Sequence, residues 1–175
     1  MAGQGTLALE AFNRSIGDGW QPDQFLSPCG GGGLIAGCST VVRHLSPETE
    51  VYAVEPEGFD DMARSLELDA RQSNSPDARS ICDALLSPTP GGLTFQVNRE
   101  RVTGGRAVSD EEALVAMAVA FRYFKLIVEP GGAVALAAVL SRKLDIVGKN
   151  VIVVCSGGNT DPATFTHALA QTAPF

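Results

Sequence analysis

The sequence has little charge, few aromatic residues and no long apolar run. Charged residues make up 19% of its 175 positions and aromatic residues 6%, whereas hydrophobic residues make up 45%. This balance excludes an intrinsically disordered chain, which combines low hydrophobicity with high net charge. The length fits one domain with a sizeable core, which we expect to span residues 1–175.

The sequence also lacks the features of nucleic-acid, membrane and disulfide-rich proteins. The formal net charge is −7, which is the wrong sign for binding a phosphate backbone. No stretch reaches the ~18 apolar residues of a membrane span, and no basic segment opens a secretory signal. The four cysteines, Cys29, Cys38, Cys82 and Cys155, form no Cys-x-x-Cys pair that would indicate zinc. We expect reduced thiols, a cytoplasmic location, and neither nucleic acid nor membrane as partner.

Apolar strands and helical segments alternate along the chain. Residues 24–29, 50–54 and 150–155 are short apolar runs that predict buried strands. Helical spacing predicts helices over residues 6–16, 34–44, 58–70, 109–126 and 133–140, and from Asp161 onward. Residues 73–92 are expected to be mostly loop. This alternation of strands and helices predicts an α/β fold with an open, mostly parallel sheet and helices on both faces.

Four consecutive glycines, Gly30, Gly31, Gly32 and Gly33, lie between the first predicted strand and its helix. Glycines allow positive φ and close approach to the backbone, so such a turn aims several N–H groups at one anion. A ligand-free connection needs only about two or three ordinary residues. We therefore expect a phosphate site, and we expect Gly32→Asp to abolish it by placing charge where the anion binds.

A dinucleotide site is the alternative for this turn. Gly31, Gly33 and Ala36 match the G-x-G-x-x-G/A pattern, and Glu55 ends the next predicted strand, where a ribose-binding carboxylate would stand. The match arises easily within four glycines in a row. A non-catalytic, phosphate- or dinucleotide-binding Rossmann-like module is therefore the second function that the sequence leaves open.

The third predicted strand ends in another glycine turn, Ser156-Gly-Gly-Asn159. Parallel strands bring such turns to one carboxyl edge, so the two turns predict one composite site. Ser156 is not in a nucleophile elbow, because Val154 stands where G-x-S-x-G has its first glycine. We expect it to be a hydrogen-bonding serine.

Six motifs stand in a specific order and spacing. They are residues 2–6 with Glu10, residues 30–33, 54–56, 80–83, 128–130 and 156–159. Together they resemble the C-terminal half of the pyridoxal-phosphate-dependent threonine dehydratases (threonine ammonia-lyases) and of serine racemase. The resemblance implies a tryptophan-synthase-β-like fold, pyridoxal 5′-phosphate as cofactor, a small amino-acid substrate, and β-elimination of water followed by ammonia release to a 2-oxo acid.

The resemblance also implies roles for single residues. The four glycines would hold the cofactor phosphate, and Ser156 would bond to the pyridine nitrogen, where a neutral hydroxyl moderates the electron sink. Glu129 matches a glutamate near the ring, although a charge at a helix N-terminus, worth about 0.3–1 kcal/mol, is an equal alternative. Glu55, Phe59 and Asp61 match a divalent-cation site for Mg²⁺ or Ca²⁺, with Phe59 contributing its carbonyl. An acidic helix start is the alternative for that set.

Two family features do not occur in this sequence. The family's Schiff-base lysine motif and its substrate-carboxylate loop are missing, and Lys125, Lys143 and Lys149 have other contexts. The resemblance therefore implies a fragment, a truncated gene or the partner of a separate N-terminal piece, inactive by itself. The predicted strands are of the kind that is buried on both faces, so the missing upstream piece would leave apolar surface uncovered. We therefore also expect a homo-oligomer.

Overall fold

The computed structural model describes residues 1–172, so only the end of the predicted domain, residues 173–175, lies outside it. Four strands form one sheet in the order β3-β2-β1-β4, and every pairing is parallel. The strands are β1 (Gln24–Pro28), β2 (Glu50–Pro56), β3 (Gly104–Val108) and β4 (Val151–Val153). The predicted parallel α/β sheet is confirmed.

The helices connect these strands and cover both faces of the sheet. They are α1 (Ala2–Gly17), α2 (Gly33–Leu45), α3 (Asp61–Glu67), α4 (Gly92–Arg101), α5 (Asp110–Val119), α6 (Pro130–Leu140) and α7 (Pro162–Leu169). A 3₁₀ turn (Asp83–Leu85) precedes α4, and a π-helical turn (Ala120–Phe124) extends α5. None of the helices in residues 1–172 is both long and apolar enough to cross a membrane.

Two apolar cores lie on opposite faces of the sheet. Phe25 of β1 packs with α1, α2 and α4, whereas the next residue, Leu26, packs with α5 and α6. Successive side chains of a strand point to opposite faces. A strand covered on both sides has no solvent-facing side, and β1 is buried at every position, Gln24 and Ser27 included. This explains why the predicted strands show no polar alternation.

Strand β3 and helix α4 were not predicted. The β3 sequence, Gly-Gly-Arg-Ala-Val, has weak strand propensity. A Cβ on Gly105 would lie 2.6 Å from Ala63 Cα, so this glycine allows α3 to approach the sheet. Helix α4 begins at Gly92, where the prolines and glycines of the preceding loop hide its start.

Several predicted helices have different bounds in the structure: α1 begins at Ala2 and not at residue 6, and α6 begins at Pro130 and not at residue 133. The helix predicted over residues 58–70 is the shorter α3, because Glu57 and Gly58, the latter with φ +82°, form a turn after β2. The helix predicted over residues 109–126 begins as expected, with Ser109 and Glu112 forming a capping box. It ends earlier in the π-helical turn, after which Lys125 has a left-handed backbone with φ +61°.

Candidate functional site

The order of the strands reverses between β1 and β4. The chain adds β2 and β3 on one side of β1 and then returns to add β4 on the other side. Leu26 is paired with Val153, and both strands run in the same direction, so the chain leaves β1 and β4 at the same edge of the sheet. Ligands of open α/β sheets bind outside the carboxyl ends of strands at such a reversal. The glycine turn (residues 30–33) and the serine turn (residues 156–159) therefore lie on one edge, as predicted.

The carbonyl groups of the glycine turn are held by α4 and the residue before it, and the Gly32 carbonyl also accepts the first-turn bond of α2 from the Ala36 N–H at 3.0 Å. The Gly31 carbonyl oxygen accepts a hydrogen bond from Thr94 Oγ1 at 2.5 Å and one from the Gly91 N–H at 3.1 Å. The Gly32 carbonyl oxygen accepts one from Asn98 Nδ2 at 3.2 Å. These contacts were not predicted, because α4 itself was missed and no local pattern marks its polar residues.

The backbone N–H groups on the other side of the glycine turn are available to an anion. Those of Gly30, Gly31 and Gly33 have no acceptor within the described part of the chain. Gly33 also opens α2, so the partial positive charge of that helix N-terminus adds to these donors. A Cβ on Gly33 would meet nothing within 4 Å, which leaves room for a ligand. This arrangement fits a phosphate group.

The structure gives a different reason from the predicted one for the need for a glycine at position 32. Its φ is +86°, and a Cβ would lie 2.6 Å from Met62 Cε and 2.8 Å from Asn98 Nδ2. A side chain at Gly32 would therefore meet α3 and α4. The expected loss of anion binding in Gly32→Asp follows from strain and overlap with these helices, whereas Gly33 is the position beside the open space.

The serine turn is tied to the residue that precedes α6. The Glu129 N–H donates to the Gly157 carbonyl at 2.9 Å, and the Asn159 N–H donates to Glu129 Oε2 at 3.0 Å. The Glu129 side chain makes no capping bond to its own helix. Ser156 is exposed, and its hydroxyl has no hydrogen-bond partner within residues 1–172. Its hydroxyl is thus free to bond a ligand.

The carboxylate of Glu55 is turned into the protein. It is fully buried and accepts hydrogen bonds from the backbone N–H groups of Met62 at 3.0 Å and Ala63 at 2.8 Å. Burial raises the pKa of Glu55 well above its ordinary value, and the two backbone bonds act against that rise. A ribose would find no exposed carboxylate here, so the dinucleotide alternative is not favoured.

Asp61 has one buried oxygen without a partner. Its Oδ1 accepts a hydrogen bond from Asn74 Nδ2 at 2.5 Å, whereas its Oδ2 has none among the described residues. Burial raises the pKa of Asp61, and the neighbouring Asp60 carboxylate also raises it. Burial likewise raises the pKa of the Cys29 thiol, and the carboxylates of Glu55 and Asp61 raise it further. Residues 1–172 contain no group of three or more His, Cys, Asp or Glu that could hold a metal. A cation here would also need oxygen from the Phe59 backbone or from water.

The three lysines lie in other interactions. Lys125 Nζ donates to the Arg122 carbonyl at 2.7 Å, and Lys149 lies 3.5 Å from a Glu50 oxygen at the start of β2, the opposite end from the glycine turn. Lys143 pairs with Glu112 at 3.3 Å. None of these contacts is with the glycine or the serine turn.

Comparison with known proteins gives consistent matches over nearly the whole chain. Residues 1–157 match the family described as pyridoxal-phosphate dependent enzyme. Serine racemase of Dictyostelium discoideum is 37% identical over 174 residues, which are 97% of this chain and 52% of that protein. Phenylserine dehydratase of Ralstonia pickettii is 40% identical over 148 residues, 84% of this chain and 45% of that protein.

A solved structure shows the same arrangement of elements. The crystal structure of a threonine deaminase from T.th. is 42% identical and superposes with a TM-score of 0.85, covering 91% of this chain and 56% of that one. The resemblance and fold expected from the sequence are confirmed. The chain spans about half the length of the curated relatives it matches.

Proposed function

The chain belongs to the pyridoxal-phosphate dependent enzyme family, and we propose that it supplies the phosphate- and ring-binding side of the active site of a threonine or serine dehydratase. One observation carries the proposal: the free N–H groups of the glycine turn and the free hydroxyl of Ser156 lie on one sheet edge, at the reversal of strand order. The named relatives act on small hydroxyl-bearing amino acids or racemise serine, which sets the proposed substrate class.

The residues divide the work between phosphate and ring. Pyridoxal phosphate, when bound, supplies an electron sink for bond breaking next to the amino-acid nitrogen. Gly30, Gly31 and Gly33 offer N–H donors to its phosphate, reinforced by the start of α2. Ser156 offers a hydroxyl to the pyridine nitrogen without adding charge. Glu129 fixes the serine turn through its bonds to Gly157 and Asn159, and so orients Ser156.

We further propose that the 175-residue chain has no dehydratase activity by itself. The chemistry of this family needs a lysine amine at the cofactor, and the three lysines here are engaged elsewhere. In the intact enzyme an upstream piece would contribute that lysine and the substrate loop. Turnover of threonine to 2-oxobutanoate by the purified chain, lost on replacing one of its lysines, would contradict this.

The ring-binding role of Ser156 has a direct test. Pyridoxine 5′-phosphate carries the ring and the phosphate but no aldehyde, so it does not react with surface lysines. Ser156→Ala should weaken its binding several-fold and leave the binding of inorganic phosphate unchanged, because only the ring contact is lost. Ser73→Ala, at an exposed serine outside the site, is the matched control. If Ser156→Ala weakens the binding of pyridoxine 5′-phosphate and of inorganic phosphate equally, Ser156 does not bind the ring.

A divalent cation is a second proposal for the same chain. The observation that supports it is the unpartnered Asp61 Oδ2. The Glu55 carboxylate, which also accepts bonds from the Met62 and Ala63 N–H groups, and the Phe59 carbonyl complete the oxygen set that the resemblance implies for Mg²⁺ or Ca²⁺. Calcium or magnesium should then raise the unfolding temperature of the protein. Asp61→Asn should lose this rise in unfolding temperature, and Asp77→Asn, at an exposed position, should keep it. An equal rise in Asp61→Asn and in the wild type would contradict this assignment.

An apolar ridge supports the proposal of a homo-oligomer. The ridge (residues 121–127) follows α5 and includes Phe124, 58% exposed, and Ile127, 56% exposed. Adjacent exposed apolar side chains of this kind are typical of protein interfaces. We also keep the cytoplasm as the proposed location, because all four cysteines are unpaired thiols.

A further inference from the structure

Helix α4 contributes two polar side chains to the glycine turn that no sequence motif identifies. Thr94 Oγ1 donates to the Gly31 carbonyl and Asn98 Nδ2 donates to the Gly32 carbonyl. We infer that Thr94 and Asn98 are positioning residues, which orient the backbone N–H groups of the turn for a phosphate group. This inference rests on the proposed function of the turn and adds the means by which its donors are held.

The geometry of the peptide bond links these carbonyls to the N–H donors. The Gly32 carbonyl and the Gly33 N–H belong to one planar trans peptide and point in opposite directions. When Asn98 holds the carbonyl, the Gly33 N–H is directed away from α4, and the space beside Gly33 is open. Thr94 holds the Gly31 carbonyl and so fixes the Gly31–Gly32 peptide, which lies between the Gly31 and Gly33 donors and sets their relative orientation.

A run of glycines needs such an external restraint. Glycine has more backbone conformations than any other residue, so an unrestrained turn would rotate its peptides freely. A peptide that rotates turns its N–H donor away from the anion. Ordering such donors when the anion binds costs conformational entropy, and this cost weakens binding. Donors that are already held in place interact with the anion without this loss.

Stability alone does not account for Asn98. The residue is completely buried, and its Oδ1 has no partner within the described residues. A buried acceptor without a partner destabilises the fold, and an apolar side chain of similar size would avoid that. Rotating the amide would bring Oδ1 against the Gly32 carbonyl oxygen, placing two acceptors together. The asparagine therefore keeps its donor at the turn although its other end stays unsatisfied.

Matched substitutions separate positioning from folding. Thr94→Val removes the hydroxyl while keeping the shape, Thr94→Ser keeps the hydroxyl, and Asn98→Leu removes the amide donor. Thr40→Val is the control, because Thr40 Oγ1 also donates to a carbonyl, that of Ala36 at 2.8 Å, farther along α2. Each variant of the full chain is titrated with inorganic phosphate while the backbone amide resonances of residues 30–34 are followed, and its urea unfolding is measured separately.

The wild type should bind phosphate with a dissociation constant of about 1 mM. Thr94→Val and Asn98→Leu should bind roughly tenfold more weakly, a loss of about 1.4 kcal/mol. Thr94→Ser and Thr40→Val should bind as the wild type does. If Asn98→Leu does not fold, the Thr94 pair still decides the question, because Thr94 is only half-buried.

Three results would overturn the inference. Thr94→Val could bind phosphate like the wild type, Thr94→Ser could bind as weakly as Thr94→Val, or the loss of binding could follow the loss of unfolding free energy across all variants. If the wild type binds phosphate and the Thr94 and Asn98 variants bind it equally well, the positioning role is wrong and the proposed function of the turn stands. A wild type whose amides 30–34 do not respond to phosphate would overturn the proposed function of the turn together with this inference.

Discussion

Glu129 and Gly157 contact each other across the carboxyl edge of the sheet. The Glu129 N–H donates to the Gly157 carbonyl at 2.9 Å, and a Cβ on Gly157 would lie 2.7 Å from Glu129 Cδ. The start of α6 and the serine turn are thus packed without room for one more carbon atom. The position of Ser156 depends on this contact.

We expect Gly157→Ala to destabilise the protein. The added methyl group overlaps the Glu129 carboxylate, and overpacking of this kind costs ~1–3 kcal/mol. Gly3→Ala is the control, because a Cβ there meets nothing within 4 Å and Gly3 lies inside α1. That change should stabilise the protein by ~0.5–1 kcal/mol. Urea unfolding measures both, and equal effects of the two substitutions would contradict the contact.

Gly32 and Gly33 should respond differently to alanine. Gly32→Ala places a side chain at φ +86° against α3 and α4, so it should lose ~1–3 kcal/mol of stability. Gly33→Ala points into open space and should change stability by less than ~0.5 kcal/mol, yet weaken phosphate binding. A stable Gly33→Ala variant with unchanged phosphate affinity would show that the anion does not bind beside Gly33.

The sequence was sufficient for the two turns but not for what holds them. Glycine runs after apolar strands are local patterns, so the turns and their shared edge could be predicted from strand direction alone. Thr94 and Asn98 lie more than 60 residues from the carbonyls they bind. Their role depends on how α4 packs on α2, which no local spacing of apolar residues encodes.

The sequence left paired interpretations open at Glu55 and at Glu129, and only side-chain contacts bear on them. At Glu55 the sequence allowed a ribose-binding carboxylate, but the side chain turns inward to the N–H groups of α3. At Glu129 the sequence allowed a helix-start charge or a contact near the ring; the residue is the N-cap of α6, which fits the helix-start charge, and its carboxylate also accepts a hydrogen bond from the Asn159 N–H. Glu55 lies near the end of β2, as predicted, whereas α6 begins at Pro130 and not at residue 133. The direction of neither side chain was available from the pattern.

Glu55 should make stability depend on pH. Burial raises its pKa well above the ordinary 4.5. A carboxyl with a raised folded pKa stabilises the protein below its unfolded pKa, and this contribution is lost as pH rises through the folded pKa. Between about pH 5 and pH 8 the wild type should therefore lose unfolding free energy relative to Glu55→Gln. Urea unfolding at both pH values measures the difference, with the exposed Glu100→Gln as control.

A difference between wild type and Glu55→Gln that stays constant over this pH range would contradict the pKa direction. It would mean that Glu55 has the same pKa in the folded and unfolded protein.

The apolar ridge should determine the oligomeric state. Charge at Phe124 or Ile127 is incompatible with a buried apolar contact, so Phe124→Asp and Ile127→Asp should sediment as monomers at micromolar concentration. Val147→Asp is the control, since Val147 is 89% exposed and lies outside the ridge. A wild type that is already a monomer, or ridge variants that remain associated, would contradict this assignment.

The most direct measurement of the central claim follows the backbone amide spectrum in titrations with three ligands: pyridoxine 5′-phosphate, inorganic phosphate and NAD. We predict that pyridoxine 5′-phosphate shifts the amides of residues 30–34 and of Ser156, and that NAD binds no more tightly than inorganic phosphate. The free N–H groups of the glycine turn and the buried Glu55 carboxylate give this order. If phosphate and pyridoxine phosphate leave residues 30–37 unmoved while NAD shifts them together with Glu55, the glycine turn does not bind the cofactor phosphate.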